Sequence, residues 1–283
     1  MKTLFVNARF IDESLLINET EAQKWYVHSK YKNSFNIQDE RKQQLVVITT
    51  TNYPFMPNGI YLEVADFSRL LAMVEIGEQI TWKQNILQFS SNHLFLMHGQ
   101  RYSSVMEGTE ELVESSLKKL FSYVNTIVKE TGSQNTLAQF IETIDPFSEA
   151  VHLLCLEDRS QQESGLSFLL GRGLGLTPSG DDMVVGHLAA RMLLKEENSI
   201  LIHLLTELLT GRSLTTDISK HYLLCALSGR FSEPVLNLVK ALTTNSNEEQ
   251  IEKAVKAIIS VGHTSGVDLL AGLITTIKFF RSK

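Results

Sequence analysis

Two hydrophobic rhythms divide the chain. Over the first hundred residues, apolar positions come in short runs rich in β-branched and aromatic residues, bounded by Asn, Pro or Gly. These runs are residues 44–50, 59–64, 80–90 and 93–99. Runs of that length and composition predict strands. Ser91-Asn92 reads as a tight turn, so the pattern predicts antiparallel hairpins curled into a small barrel or sandwich. Residues 67–75 predict a short helix among them. From about Glu107 the spacing changes to the helical period. Val113, Leu117, Leu120, Phe121 and Val124 share one face, with Gly132 as a stop. Further helices are predicted at 136–144, 146–157, 161–170, 179–194, 199–209, 216–227, 233–242, 248–261 and 265–280. Gly229 stops one helix and Ser232 starts the next, and Asn245-Ser246-Asn247 leads into another. The expected fold class is α+β. A β-rich N-terminal domain (1–104) precedes an all-helical domain (105–283), with the boundary near 101–108 and no long linker.

Composition narrows the class of protein. Of 283 residues, 43% are hydrophobic and 20% charged, which is ordinary for a soluble globular chain. No apolar run approaches the ~18 residues of a membrane span. The apolar stretch before Arg9 and Asp12 is too short for a secretory signal. The net charge of −6, without a basic block, argues against a nucleic-acid partner. Cys155 and Cys225 sit in apolar helical patterns and read as buried thiols in a reducing compartment. The expected location is the cytoplasm.

The chemistry-bearing feature is a repeated signature. SGDDMVVGHL (179–188) and SGVDLLAGLI (265–274) share Ser-Gly-x-Asp, then apolar or small residues, then Gly. The pairs are Ser179/Ser265, Gly180/Gly266, Asp182/Asp268 and Gly186/Gly272. Each begins a predicted helix after a Gly-rich or Gly-His lead-in. One copy alone reads as a capping box worth about 1 kcal/mol. Two copies with inner glycines ask for more, because a helical Gly costs roughly 1 kcal/mol against Ala. Close crossing at Gly186 and Gly272 would supply the reason, and would bring both helix N-termini to one place. Free N–H groups there favour phosphate or carboxylate. Adjacent carboxylates repel one another and an anion alike, so they need a metal, a shared proton, cationic neighbours or a hydrogen-bond-donating ligand. Arg172 and His263 are the nearest cations in the two lead-ins. A ligand with an anionic end and a carbamoyl or ureido NH₂ satisfies both halves of such a site, as does Mg²⁺ with a phosphate.

The segments GRGLGLTPSGDD, TTDIS…LLCALSGRFSEP (215–234) and GHTSGVDLLAGL resemble the AllH-type subunits of bacterial oxamate carbamoyltransferase, of allantoin breakdown. WYVHSKYKNSFNI (25–37) is similar to the N-terminal His-Ser segment of that family. The resemblance covers most of the chain. It implies conversion of oxalurate and phosphate to oxamate and carbamoyl phosphate, in an assembly with an FdrA-type subunit and another partner. Leu174 stands where the family often has proline, which leaves that loop less constrained. No catalytic residue carries over from the family, so roles follow from chemistry.

Backbone N–H groups after Ser179 and Ser265, in the turns of Gly180 and Gly266, are expected to bind anionic oxygens together with Thr177 and Thr264. Asp182 and Asp268 are expected to orient the carbamoyl NH₂ or a metal. His263 is the candidate acid or base, with a pKa normally near neutrality, and Arg172 a clamp for carboxylate or phosphate. Asp181 reads as a solvated partner of the helix dipole, and His187 and His221 as packing or surface residues. Thr215-Thr216-Asp217 reads as a helix cap, and His28-Ser29 as a possible contribution from the β domain. No resident cofactor is expected, with Mg²⁺ as the option. Two rival readings stay open: a metal-dependent hydrolase of a phosphorylated or ADP-ribosyl-type ligand using Asp181, Asp182 and Asp268, and a non-catalytic metabolite-binding subunit.

Overall fold

The computed structural model describes residues 4–15, 21–108, 110–196, 198–211 and 213–282. The chain divides into two compact units, residues 1–104 and 105–283.

The first unit is one ten-stranded sheet with one α-helix. Its strands are β1 (Leu4–Asn7), β2 (Phe10–Asp12), β3 (Gln23–Lys30), β4 (Ser34–Asp39), β5 (Leu45–Thr50), β6 (Gly59–Leu62), β7 (Gln79–Lys83), β8 (Ile86–Gln88), β9 (Asn92–Phe95) and β10 (Gln100–Tyr102), with α1 (Val64–Met73). They lie in the order β1-β9-β8-β7-β3-β4-β5-β6-β2-β10. The hairpin expected at Ser91-Asn92 forms, with β8 and β9 antiparallel; β3 with β4 and β7 with β8 are antiparallel as well, though no strand was expected at 23–30 or 34–39. The sheet is nevertheless mixed, because β1–β9, β2–β10 and β5–β6 pair in parallel. Those pairings recruit strands distant in sequence, which a local pattern cannot signal. The run at 80–90 splits into β7 and β8 around Gln84, whose φ of 51° lies in the left-handed region and ends the strand. Only Ala8 and Arg9 separate β1 from β2, yet these strands belong to opposite ends of the sheet. Two residues span at most about 7 Å, so the ends must approach one another. Ala8 N–H donates to Phe95 O (2.9 Å) and Arg9 N–H to Tyr61 O (2.7 Å), tying the two ends together. The result is a half-barrel. Its interior holds Trp25 against Trp82 (centroids 5.0 Å apart), with Phe35, Ile37, Ile48, Ile60 and Phe67 of α1.

The second unit is helical: α2 (Glu114–Val124), α3 (Leu137–Glu142), α4 (Pro146–Cys155), α5 (Arg159–Leu169), α6 (Ser179–Leu194), α7 (Ser199–Gly211), α8 (Asp217–Leu227), α9 (Glu233–Thr243), α10 (Glu248–Ile259) and α11 (Ser265–Arg281). Thr136, Asp145 and Asn247 close capping boxes at the starts of α3, α4 and α10. Helix α2 ends at Val124 rather than at Gly132, which lies in the following loop. The centre belongs to α6 and α11. Met183, Val184, Ala189, Ala190, Leu270, Ala271, Leu273 and Ile274 are all buried, and these two helices make the most extensive helix–helix contact. A helix apolar on nearly every side must be surrounded, and the remaining helices supply the surround. Cys155 and Cys225 are buried, with no disulfide between them. No helix among the described residues is long and apolar enough to cross a membrane.

Candidate functional site

The two signatures meet at a crossing of backbones. A Cβ on Gly186 would lie 2.0 Å from Leu269 O, and a Cβ on Gly272 would lie 2.0 Å from Met183 O. Met183 and Leu269 hold the same place in their own motifs, so each glycine receives the equivalent carbonyl of the other helix. The relation is reciprocal, like a local two-fold. A second reciprocal feature lies one turn earlier. Cβ atoms on Gly180 and Gly266 would stand 2.0 Å from Leu169 O and 1.9 Å from Ile258 O, at the ends of α5 and α10. Each motif is therefore a helix, a glycine loop and a second helix, packed too closely for any side chain at these positions.

The crossing brings the carboxyls of Asp182 and Asp268 within electrostatic reach of each other. Serines are exchanged between the motifs: the Ser265 hydroxyl faces the Asp182 carboxyl, and the Ser179 hydroxyl faces that of Asp268. Thr177 and Thr264, from the two lead-ins, face the same carboxyls in turn. Thr177 Oγ1 and Ser265 Oγ lie 2.8 Å apart, which links one lead-in to the opposite helix start. Asp268 Oδ1 accepts the Gly132 N–H at 2.7 Å. Asp268 is fully buried, while Thr177, Asp182, Thr264 and Ser265 are partly exposed, so the pair lies just beneath the surface.

Both carboxyls are held above the ordinary carboxylate range. Burial raises Asp182 well above it and the neighbouring Asp268 adds to the rise, against the pull of the Ser265 and Thr177 hydroxyls. Burial also raises Asp268, against the Gly132 N–H, the Ser179 and Thr264 hydroxyls and the nearby Lys129. On each side chain Oδ2 is sealed from solvent, with no donor in hydrogen-bonding geometry among the described residues. Buried carboxyl oxygens without donors are costly and uncommon in a fold. Here each carboxyl of the pair carries one.

The other expected site residues fall differently. Asp181 is not solvated: it is 1% exposed. Its Oδ1 accepts the Gly171 N–H at 2.9 Å, and its Oδ2 accepts the hydroxyls of Ser219 (2.7 Å) and Thr215. These three hydrogen bonds fix the lead-in loop to α8. Thr215 is thus more than a cap, and Thr216 does the capping, accepting the Ser219 N–H at 3.0 Å. The glycine N–H groups expected to receive an anion are closed within the protein: Gly180 N–H donates to Arg172 O (2.9 Å) and Gly266 N–H to Val261 O (3.1 Å). Lead-in carbonyls occupy them because each loop must turn tightly against its own helix start. Arg172 turns away, with Nε donating to Phe168 O at 2.6 Å and its guanidinium 4.0 Å from the Phe168 ring centroid. His263 is exposed in the turn before Thr264. His187 is buried, its Nδ1 2.8 Å from Thr276 Oγ1, and burial pushes its pKa down to about 3. His221 is buried beside Cys225, with Nε2 3.6 Å from Sγ. In the N-terminal unit His28 Nδ1 lies 3.0 Å from Ser29 Oγ, which accepts from Asn36 Nδ2 at 3.0 Å.

Three neighbours of the pair were not legible as such. Gly132 supplies an N–H to Asp268, and a Cβ there would stand 1.8 Å from Ser179 Oγ. Lys129, whose Nζ donates to Ile259 O at 2.8 Å, is the cation acting on Asp268. The Tyr222 phenol on α8 feels the charge of Asp182, and burial pushes its pKa up. Only Gly132, amid TGSQNT, carried a local signal, and that signal read as a helix stop.

No solved structure matches the chain. The family described as oxamate carbamoyltransferase subunit AllH matches residues 169–277, from the end of α5 through α11, and so includes both signatures. The AllH family N-terminal domain matches residues 3–101, the half-barrel unit. Between them the two matches take in the sheet and both halves of the reciprocal crossing, and the chain belongs to the AllH family.

Proposed function

We propose that, as a subunit of an oxamate carbamoyltransferase, this chain uses the Asp182–Asp268 pair to hold the carbamoyl end of the substrate. One observation carries the reading: each carboxyl of an electrostatically coupled pair holds one buried oxygen, Oδ2, with no donor among the described residues. Burial and mutual repulsion favour one proton shared over the pair. A carboxylic acid beside a carboxylate is the complement of a carbamoyl group, since the acid O–H donates to the C=O and the carboxylate accepts an N–H. The group H₂N–C(=O)– is common to oxalurate and carbamoyl phosphate. During transfer a phosphate oxygen adds to the carbamoyl carbon. The C–N bond to oxamate then breaks, and the departing nitrogen takes a proton. An acid O–H on the carbonyl oxygen stabilises the oxyanion that forms on the way. His263, exposed beside Thr264, is the titratable group for the leaving nitrogen. The anionic ends of the substrates need cations beyond Lys129, and partner subunits of the FdrA type complete that side.

The test is titration of the purified chain with oxalurate, carbamoyl phosphate and oxamate, with inorganic phosphate and Mg²⁺ as controls. Binding is followed by calorimetry in wild type, Asp182→Asn and Asp268→Asn. Hydrogen bonds to a charged acceptor are worth about 1.5–3 kcal/mol, so each variant is expected to bind carbamoyl compounds at least about tenfold more weakly. Carbamoyl compounds that bind both variants as tightly as wild type would overturn the reading. Activity of the reconstituted assembly that survives both substitutions would do the same.

A further inference from the structure

About 14 Å along α6 from Asp182, at nine residues and 1.5 Å per residue, the helical unit opens a cleft of about 460 Å³ between the end of α6, the start of α7 and the end of α8. Leu188, Met192, Leu201, Ile202 and Leu227 give it an apolar floor and rim. Its polar chemistry comes from two side chains that are each more than nine-tenths buried, Arg191 at 6% and Asn198 at 8% exposure. Arg191 Nε donates to Glu196 O at 3.1 Å, and its guanidinium lies 5.0 Å from the Phe280 ring centroid, but its Nη1 is buried with no acceptor among the described residues. Asn198 spends its Oδ1 on the Leu201 N–H at 2.9 Å, at the start of α7, and its Nδ2 is likewise buried with no acceptor among them. The lining holds Arg191 and Lys195 against Glu196, leaving one positive charge in excess. Glu157 acts on Arg191 from outside the lining.

A buried guanidinium needs an anionic or carbonyl partner. Two lining side chains, each with a donor that has no acceptor among the described residues, in an otherwise largely apolar cleft fit the usual pattern of a small-molecule site. We propose that this cleft is a second ligand site, which takes a small organic monocarboxylate with its carboxylate on Arg191 Nη1 and Asn198 Nδ2 and its apolar body against Leu188, Met192 and Ile202. It is separate from the aspartate pair and does not depend on the function proposed for that pair. The bound group is a free metabolite rather than an acidic side chain of a partner, because the cleft is sized for a molecule and the two side chains that carry its donors are each more than nine-tenths buried.

The test is thermal unfolding of the full chain with acetate, isovalerate, 2-oxobutyrate and oxamate, and with inorganic phosphate for comparison. The proteins are wild type, Arg191→Met, Ile202→Trp and Asp182→Asn. Ile202 is 46% exposed at the rim, so tryptophan there fills the cleft without touching the buried arginine and decides the matter if Arg191→Met fails to fold. A branched monocarboxylate at ten times its Kd is expected to raise Tm by about 3 °C in wild type and in Asp182→Asn. The rise should vanish in Ile202→Trp and Arg191→Met. No stabilisation of wild type by any carboxylate would overturn the proposal. So would a rise that persists in Ile202→Trp, or one abolished by Asp182→Asn.

Discussion

The starts of α6 and α11 carry the same signature, yet their carboxyls live in different surroundings. Asp182 is partly exposed and meets only hydroxyls, those of Ser265 and Thr177, beside the like charge of Asp268. Asp268 is wholly buried but receives a backbone N–H from Gly132 and the influence of Lys129. Asp182 is accordingly raised further above the carboxylate range than Asp268. The reciprocal crossing supplies a symmetrical frame, and a third segment, residues 129–132, breaks it on one side only.

The largest expected effect comes from the frame itself. Gly186→Ala and Gly272→Ala each place a methyl 2.0 Å from a backbone carbonyl, where only a helix shift relieves the clash. Each should lower unfolding stability in urea by on the order of 3 kcal/mol. The two losses should be similar, and a large inequality would show that the crossing is not reciprocal in energy.

The carboxyls come next. A folded-state pKa above the unfolded value means that the fold favours the proton. Stability from these groups is then retained at and below the ordinary carboxylate range and is lost as pH rises through the raised pKa. Asp182→Asn removes a charge that the site resists, so it should flatten the decline of Tm above about pH 4 more than Asp268→Asn does. His187 works in the opposite sense. With its pKa pushed down to about 3, it contributes stability above the unfolded pKa and loses it as pH falls from 6.5 toward 3. Acid unfolding that is unchanged in a His187→Gln variant would remove that histidine from the acid limb.

Gly132→Ala tests the asymmetry directly. Its methyl would meet Ser179 Oγ at 1.8 Å and Cβ at 2.6 Å. It should cost about 1–2 kcal/mol and weaken carbamoyl binding while the pH response of Asp182 stays. Thr177→Val acts on the other half alone, removing the hydroxyl 2.8 Å from Ser265 Oγ. The expected loss is about 1 kcal/mol, read by urea unfolding at two pH values. The smallest effect belongs to Arg172→Ala, which removes a contact with the Phe168 ring worth about 0.5–1 kcal/mol. Carbamoyl affinity should not change, and a clear loss would restore Arg172 as a ligand group.

Much of this was open to sequence reading. The helical period located α6 at 179–194 and α11 from 265, and the paired glycines announced a close crossing before any coordinates. Strands β5, β6 and β9 were legible as short apolar runs and β7 with β8 as one run, whereas β1, β2 and β10 were not, since three-to-four-residue strands leave almost no periodic trace; β3 and β4 were missed too, because Lys, His, Ser, Asn and Gln interrupt their apolar positions. Asp181 and Asp182 look interchangeable in the chain. Their roles part because successive helical positions lie about 100° apart, which turns one toward Gly171, Thr215 and Ser219 and the other toward α11.

The sequence by itself determined where the helices begin, which positions must lack a side chain, and that two carboxylates open equivalent turns. Only the tertiary structure decided that each serine serves the opposite aspartate, that loop carbonyls close the glycine N–H groups, and that Gly132 and Lys129 stand against Asp268 alone. The reason is physical. Periodicity and backbone sterics act within a few residues, whereas hydrogen-bond partners and desolvation depend on which distant segment fills the remaining space.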